Sequence, residues 1–162
     1  MAEELRRLGV AVVSGHEPTV DEVKALHPAG VVVACGAKPI IPNVPGVDLS
    51  HVVTSHEVIA GRVIVTGKAV VIGSGMTGLE CTEGLCMSGC EVSVVEMLPQ
   101  VGAGMFSVVV ADMMERIQSY HPGIYTGHKL KAITEEGVIA EKVSTGEEIF
   151  LPADTVVLSL GV

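Results

Sequence analysis

The feature of the sequence that most restricts the fold is a glycine-rich turn between two valine-rich segments. Ala69–Ile72 runs directly into the turn, and Glu91–Glu96 follows it after a stretch with helical character, Met76–Ser88. Unbroken runs of β-branched residues are typical of strands buried on both faces of a parallel sheet. The sequence therefore predicts a strand, a helix and a second, parallel strand in succession.

The turn itself has the spacing G-x-G-x-x-G, formed by Gly73, Gly75 and Gly78. The first glycine permits a tight turn, the second lets a pyrophosphate approach the backbone, and the third lets the helix pack closely on the strand. Unpaired N–H groups and the helix dipole then hold the phosphates, the dipole contributing about 0.3–1 kcal/mol. The motif therefore predicts a dinucleotide site. Its predicted contact residues are Gly73, Ser74, Gly75, Met76, Thr77 and Gly78.

An acidic residue, Glu96, ends the second strand about 20 residues after the first glycine, where a carboxylate accepts hydrogen bonds from the adenosine ribose. A carboxylate about 4 Å from a 2′-phosphate would cost roughly 4 kcal/mol. The residues after it, Met97–Gln100, include no Lys or Arg to offset that repulsion. The sequence therefore predicts NAD(H) in preference to NADP(H), with Glu96 and Met97 at the site.

Two alternatives to a catalytic dinucleotide domain fit the same residues. Rossmann-type methyltransferases share the strand-turn-helix layout, so an S-adenosylmethionine site is the first alternative. Such proteins usually need no third glycine for pyrophosphate packing, whereas Gly78 is present here. The second alternative is a non-catalytic module that senses NAD(H) or mediates an interaction.

The residues after Glu96 complete the predicted domain. A helix is predicted over Phe106–Ser119 and a third strand over Ile124–Thr126. Short β segments separated by turns follow in Lys129–Leu151, and Asp154–Gly161 is a buried strand ended by glycine. The predicted fold class is α/β: a three-layer, Rossmann-like parallel sheet with a β-meander crossover.

The first part of the chain repeats the pattern of the last part. Gly9–Ser14 and Gly30–Gly36 are each predicted as a strand, the second of them buried, and the proline-rich Pro39–Gly46 is predicted to be extended. A short helix is predicted over Ser55–Ile59. We therefore expect the back half of a second nucleotide-binding fold in residues 1–41, a linker over 42–67 and a complete NAD(H)-binding domain over 68–162.

Composition excludes several other functions. The 162 residues carry a formal net charge of −9, and only 2% are aromatic. An acidic chain without a basic cluster or aromatic platform is poorly suited to nucleic acid. No apolar run approaches the ~20 residues that span a bilayer, and the first residues do not form a signal peptide. The sequence therefore predicts a soluble, cytoplasmic protein that acts on neither nucleic acid nor membrane.

The cysteines and histidines give no sign of a metal site or a catalytic nucleophile. Cys35, Cys81, Cys86 and Cys90 lack metal-ligand spacing, as do the histidines. Cys81 and Cys86 have the C-x4-C spacing that some flavin disulfide reductases use as a redox pair. Residues five apart on a helix point in different directions, so we expect packing cysteines instead. No metal ligand and no catalytic residue is predicted.

Four segments resemble one enzyme family. Val70–Glu80 resembles the NADH-binding segment of the FAD-dependent pyridine nucleotide-disulfide oxidoreductase superfamily. Val33–Pro39 resembles its Ala-Thr-Gly motif, with Cys35 in place of threonine, and Asp154–Gly161 is similar to the strand that ends its NADH domain. Val95–Met105 looks most like the C-terminal region of 2,4-dienoyl-CoA reductases and 2-enoate reductases.

This resemblance implies an NADH-binding domain inserted into an FAD-binding domain, with hydride passing from NADH to FAD. It implies that residues 1–41 belong to the FAD-type Rossmann domain and that the chain is a fragment that is inactive alone. The implied partners are the missing FAD-domain segments, with a homodimer as a further expectation. Gly161 and Leu130 are implied cofactor contacts. Glu80 either orients the nicotinamide side of the site or favours a helix N-terminus.

Overall fold

The computed structural model describes residues 2–162, which contain five helices and eight strands. The helices are α1 (Ala2–Arg7), α2 (Val20–Ala25), α3 (Ser55–Ile59), α4 (Met76–Met87) and α5 (Ser107–Gln118). The strands are β1 (Val52–Thr54), β2 (Lys68–Ile72), β3 (Glu91–Glu96), β4 (Gly123–Thr126), β5 (His128–Thr134), β6 (Gly137–Lys142), β7 (Glu148–Pro152) and β8 (Thr155–Leu158).

Residues 37–162 are organised around a five-stranded parallel sheet with the order β1-β8-β2-β3-β4. Helix α4 joins β2 to β3, and α5 joins β3 to β4. In the register of the sheet, Ile72 lies opposite Val95 on one side and Leu158 on the other. The carboxyl ends of β2, β3 and β8 therefore meet at one edge of the sheet.

Both faces of the parallel sheet are covered. Successive side chains of a strand point to opposite faces. Val70 and Ile72 accordingly pack with residues of the antiparallel sheet β5-β6-β7, such as Val138, whereas Val71 packs with Leu85 of α4. Each fully buried valine contributes roughly 1.5–3 kcal/mol to stability. The predicted α/β class, with three layers and a β-meander crossover, is confirmed.

Residues 2–36 form a separate unit in which no described residue is buried. The predicted strands over Gly9–Ser14 and Gly30–Gly36 are wrong, since neither segment is a strand in the structure. Val32 is 92% exposed. A valine run becomes a buried strand only where neighbouring strands supply hydrogen bonds and other layers cover its faces, and this unit supplies neither.

Residues 42–67, predicted as a linker, contribute structure to the second unit. Val52–Thr54 pairs in parallel with β8, and the predicted helix over Ser55–Ile59 is confirmed. The proline-rich part is also fixed, because Ile133 donates its N–H to the Pro45 carbonyl at 2.8 Å. The assignment of residues 1–41 to a second domain stays a prediction, and its residue 1 lies outside the described residues.

Across residues 2–162, no helix combines the length and apolar character that crossing a membrane requires.

Candidate functional site

A cavity of about 440 Å³ opens at the edge where β2, β3 and β8 end. Open parallel α/β sheets bind ligands in the crevice outside the carboxyl ends of their strands. Its volume is within the range of small-molecule sites. The cavity is lined by Pro42, Ile72, Gly73, Ser74, Gly75, Val95, Glu96, Met97, Leu98, His128, Lys129, Leu130, Ser159, Leu160 and Gly161.

The three glycines of the turn differ in what surrounds them. A Cβ on Gly73, whose φ is +98°, would lie 2.3 Å from the Ser159 carbonyl oxygen. A Cβ on Gly78 would lie 2.2 Å from the Gly73 carbonyl oxygen. A Cβ on Gly75 would meet no atom within 4 Å. The first and third glycines therefore let the turn pack, while the second leaves open space over the backbone.

Helix α4 begins at this open space without a side-chain cap. Its N-cap residue is Gly75, and its first turn contains no acidic residue. The first intrahelical N–H bond is donated by Leu79 to the Gly75 carbonyl at 2.9 Å. The preceding amides of the first turn have no intrahelical acceptor, and the positive end of the helix dipole adds to their field. The arrangement is suited to an anion.

The carboxylate of Glu96 joins the two loops beside the cavity. Its Oε2 accepts from the Ser74 N–H at 3.0 Å and from the Ser74 hydroxyl at 2.6 Å. Its Oε1 accepts from the Leu98 N–H at 2.8 Å. Gly102 in turn donates its N–H to the Ser74 carbonyl at 3.0 Å. The carboxylate is therefore held in place at the cavity wall before any ligand arrives.

Lys129 is the one lysine in the cavity lining, and its charge is already paired. Its Nζ lies 2.8 Å from Oε1 of Glu141, and Oε2 of the same carboxylate lies 3.3 Å from the Nζ of Lys131. These lysines, Lys129 foremost, lower the pKa of Glu141. The ion pair leaves Glu96 as the cavity's uncompensated charge.

The structure brings most of the predicted site residues together. Seven of them line the cavity: Gly73, Ser74, Gly75, Glu96, Met97, Leu130 and Gly161. Met76, Thr77 and Gly78 lie in the first turn of α4, and Gly78 is buried. Glu80 does not line the cavity and lies outside the first turn of the helix; it borders a groove between α3 and α4 with Ile59 and Val63.

Several lining residues were missed by the sequence reasoning, among them Leu98, His128 and Lys129. The strand predicted over Ile124–Thr126 ends just before His128. In the structure Thr126 lies opposite Glu96 in the parallel sheet, so the residues just after β4 emerge at the same edge as the carboxylate. This pairing is a long-range contact that the local sequence pattern does not contain.

Cys81 and Cys86 are both buried in the core on the helical side of the sheet. Burial raises the pKa of Cys81 to about 11. Burial first, and then the neighbouring Cys90, raise the pKa of Cys86. Thiols with raised pKa values ionise poorly and react slowly. Both side chains therefore fit core packing better than redox chemistry. Among residues 2–162, no three His, Cys, Asp or Glu side chains form a group that could hold a metal ion.

Comparison with known proteins gives related enzymes over the whole chain. Bilirubin reductase of Mediterraneibacter gnavus is 34% identical over 161 residues, which are 99% of this chain and 25% of that protein. NADH oxidase of Thermoanaerobacter brockii is 33% identical over 162 residues, 98% of this chain and 25% of that protein. The chain therefore spans about a quarter of the length of these relatives.

A solved structure and a family description agree with these relatives. The structure of 2-naphthoyl-CoA reductase in complex with 2-naphthoyl-CoA has a TM-score of 0.81 and 24% identity, covering 99% of this chain and 24% of that one. At that identity the likeness shows the fold. The family described as pyridine nucleotide-disulphide oxidoreductase matches residues 3–162, which confirms the resemblance seen in the motifs. The chain belongs to the pyridine nucleotide-disulphide oxidoreductase family.

Proposed function

We propose that this chain binds NADH in the cavity at the carboxyl ends of β2, β3 and β8. In the longer parent protein it then serves as the NADH-binding domain of a flavin-dependent oxidoreductase, which passes hydride from NADH to FAD. The observation that carries the proposal is the placement of the Glu96 carboxylate beside the open backbone of Gly75. Two relatives named NADH oxidase and bilirubin reductase support the reaction class.

The residues of the cavity offer a suitable contact for each part of a dinucleotide. The space over Gly75 admits the pyrophosphate, and the amides of the first turn of α4 donate to its oxygens. Glu96 accepts from the adenosine ribose, while Met97 and Leu130 offer apolar surface beside it. Gly161 follows β8 and lines the part of the cavity to which we assign the nicotinamide half. NADH supplies the hydride when bound, and this chain's residues bind and orient it.

The charges of the cavity favour NADH over NADPH. A 2′-phosphate near Glu96 would meet a carboxylate already fixed in place by Ser74 and Leu98. At about 4 Å the repulsion is roughly 4 kcal/mol at an effective dielectric of about 20. The Nζ of Lys129 is paired with Glu141, which reduces its ability to offset the repulsion. We therefore expect clear discrimination against NADPH.

An FAD site requires residues beyond those of the 2–36 unit. No residue of the 2–36 unit is buried, so that unit alone forms no enclosed site for FAD. We propose that other segments of the parent protein complete the FAD site and cover the exposed Val31–Val33. A homodimer is a further proposal for the same chain, and sedimentation at increasing protein concentration tests it.

Calorimetric titration of the full chain with NADH, NADPH and S-adenosylmethionine tests the proposal. We expect NADH to bind most tightly, and Glu96→Gln to weaken NADH binding about tenfold while narrowing the preference over NADPH. Glu91→Gln removes the same charge at the other end of β3 and is the matched control. Failure to bind NADH at millimolar concentration, or tighter binding of either other ligand, would overturn the proposal.

A further inference from the structure

The Glu96 carboxylate has little capacity left to accept hydrogen bonds from a ligand. Two carboxylate oxygens offer about four acceptor sites. The Ser74 N–H and the Ser74 hydroxyl take two sites on Oε2, and the Leu98 N–H takes one on Oε1. About one site remains, on Oε1, whereas the adenosine ribose of NADH presents two hydroxyl donors. A second acceptor is needed if both hydroxyls are to be bound.

His128 supplies an acceptor of the required kind in the same cavity. Its Nδ1 lies 2.7 Å from the Thr126 carbonyl oxygen. Because a carbonyl oxygen only accepts, Nδ1 carries the proton, and in the neutral ring Nε2 is an acceptor. The ring of Tyr125 packs edge-on at a centroid distance of 6.2 Å, which further orients the imidazole. No protein group within residues 2–162 hydrogen-bonds to Nε2 or encloses it.

A short chain of hydrogen bonds ties His128 to Glu96. Oε1 of Glu96, the oxygen with the free site, accepts from the Leu98 N–H. The Leu98 carbonyl accepts from the Gly127 N–H at 2.9 Å, and Gly127 directly precedes His128. The register of β3 and β4 also sets Glu96 opposite Thr126. The two acceptors are therefore held on neighbouring strand ends by fixed backbone.

We propose that His128 is a second ribose-binding residue: its Nε2 accepts from one hydroxyl of the adenosine ribose while Glu96 accepts from the other. This inference rests on the proposed NADH function. The neutral imidazole suits this role because its Nε2 accepts from a hydroxyl while Nδ1 stays bonded to the Thr126 carbonyl.

Two substitutions of His128 distinguish the contribution of Nδ1 from that of Nε2. In His128→Asn the amide reproduces the Nδ1 donor and removes the acceptor at Nε2, whereas His128→Gln offers an amide oxygen near the Nε2 position. We expect His128→Asn to weaken NADH binding roughly three- to tenfold, the range for one neutral hydrogen bond, and His128→Gln to recover part of the loss. His56→Asn, on the exposed side of α3, is the matched control and leaves the affinity unchanged.

NAD+ analogues that lack the 2′- or the 3′-hydroxyl of the adenosine ribose test, on the wild-type chain, whether Glu96 and His128 each bind one hydroxyl. We expect each analogue to bind more weakly than NAD+, and His128→Asn to be indifferent to the loss of one of the two hydroxyls. Wild-type affinity for NADH in His128→Asn, or sensitivity of the wild type to only one hydroxyl, overturns the inference and leaves the proposed function intact. A wild-type chain that binds no NADH overturns the proposed function itself.

Discussion

Helices α3 and α4 lie in the same unit and begin in opposite ways. At α3 the Thr54 hydroxyl accepts from the Glu57 N–H at 3.3 Å, and the Glu57 carboxylate accepts from the Thr54 N–H at 2.8 Å. At α4 the N-cap is Gly75, with no side-chain cap and no acid in the first turn. The chain can therefore cap a helix with its own side chains, and it leaves uncapped the helix start that faces the cavity.

The sharpest way to break this contrast is to give α4 a cap like that of α3. Gly75→Asp places a carboxylate where we propose the pyrophosphate to bind, at a φ of −67° that any residue can adopt. We expect NADH affinity to fall about 1,000-fold, from roughly 4 kcal/mol of charge repulsion. The free energy of unfolding should rise by only roughly 0.3 kcal/mol, because aspartate caps the helix and glycine is itself an acceptable N-cap. Calorimetric titration and urea denaturation measure the two effects.

Gly84→Asp adds the same charge to the exposed side of α4, away from the cavity, and should leave NADH affinity unchanged. Wild-type affinity in Gly75→Asp would contradict the proposed position of the pyrophosphate.

The next largest effect is expected from disturbing the close contact between Gly78 and the Gly73 carbonyl, which positions the start of α4. In Gly78→Ala the new Cβ meets the Gly73 carbonyl oxygen at 2.2 Å, so either the helix or the turn must move. We expect the free energy of unfolding to fall by roughly 2 kcal/mol, the strain outweighing the better helix propensity of alanine. Urea denaturation measures the change.

Gly84→Ala is the matched control in the same helix, because its Cβ would meet no atom within 4 Å. Alanine there should raise stability by about 1 kcal/mol. Equal effects of the two substitutions would show that the contact between Gly78 and Gly73 does not restrain the turn.

A smaller effect follows from removing the cap of α3. Thr54→Ala deletes the hydroxyl that accepts from the Glu57 N–H, and Thr54→Ser retains it. We expect the alanine variant to lose about 1 kcal/mol of stability and the serine variant much less. NADH affinity should not change in either, since α3 does not line the cavity. A loss of NADH affinity in Thr54→Ala would mean that the two helix starts are coupled.

The smallest effect is the acid sensitivity of the same cap. Hydrogen bonds from the Thr54 N–H, and then from its hydroxyl, lower the pKa of Glu57 below its ordinary value of 4.5. The cap therefore stabilises the fold above about pH 4.5, and that contribution is lost as the pH falls through the lowered pKa. The stability difference between the wild type and Glu57→Gln should shrink as the pH drops below 4.5. A difference that is constant with pH would contradict this reading of the cap.

The β2–α4–β3 segment could be predicted from the sequence because its signals are local. The valine-rich strands, the glycines of the turn and Glu96 lie within one short stretch. Val31–Val33 carries the same strand signal and is exposed, whereas Val156 and Val157 of β8 are fully buried. The difference is that β8 lies between β1 and β2 and is covered on both faces. A local pattern predicts that a segment is suited to burial. It does not predict which other segments will cover it.

In the candidate site, too, some residues could be predicted from local signals and others depend on long-range contacts. The turn and Glu96 follow from spacing, because each belongs to one βαβ unit. Val52–Thr54 was hidden inside a predicted linker because a strand of three residues has too little pattern to detect. His128 and Lys129 reach the cavity only through the pairing of β4 with β3, which is a long-range contact.

The hydrogen bonds that hold Glu96 also affect how a protein of this kind could change its preference from NADH to NADPH. A substitution chosen only to admit a 2′-phosphate, such as Glu96→Ala, would strip acceptors from the Ser74 and Leu98 amides as well as removing a charge. Ser74 is fully buried, so its unpaired amide would cost about 1–3 kcal/mol, whereas water can accept from the exposed Leu98 amide. Evolution or engineering toward NADPH therefore needs a replacement side chain that still accepts from the Ser74 amide, which makes cofactor preference here a property of loop architecture as much as of charge.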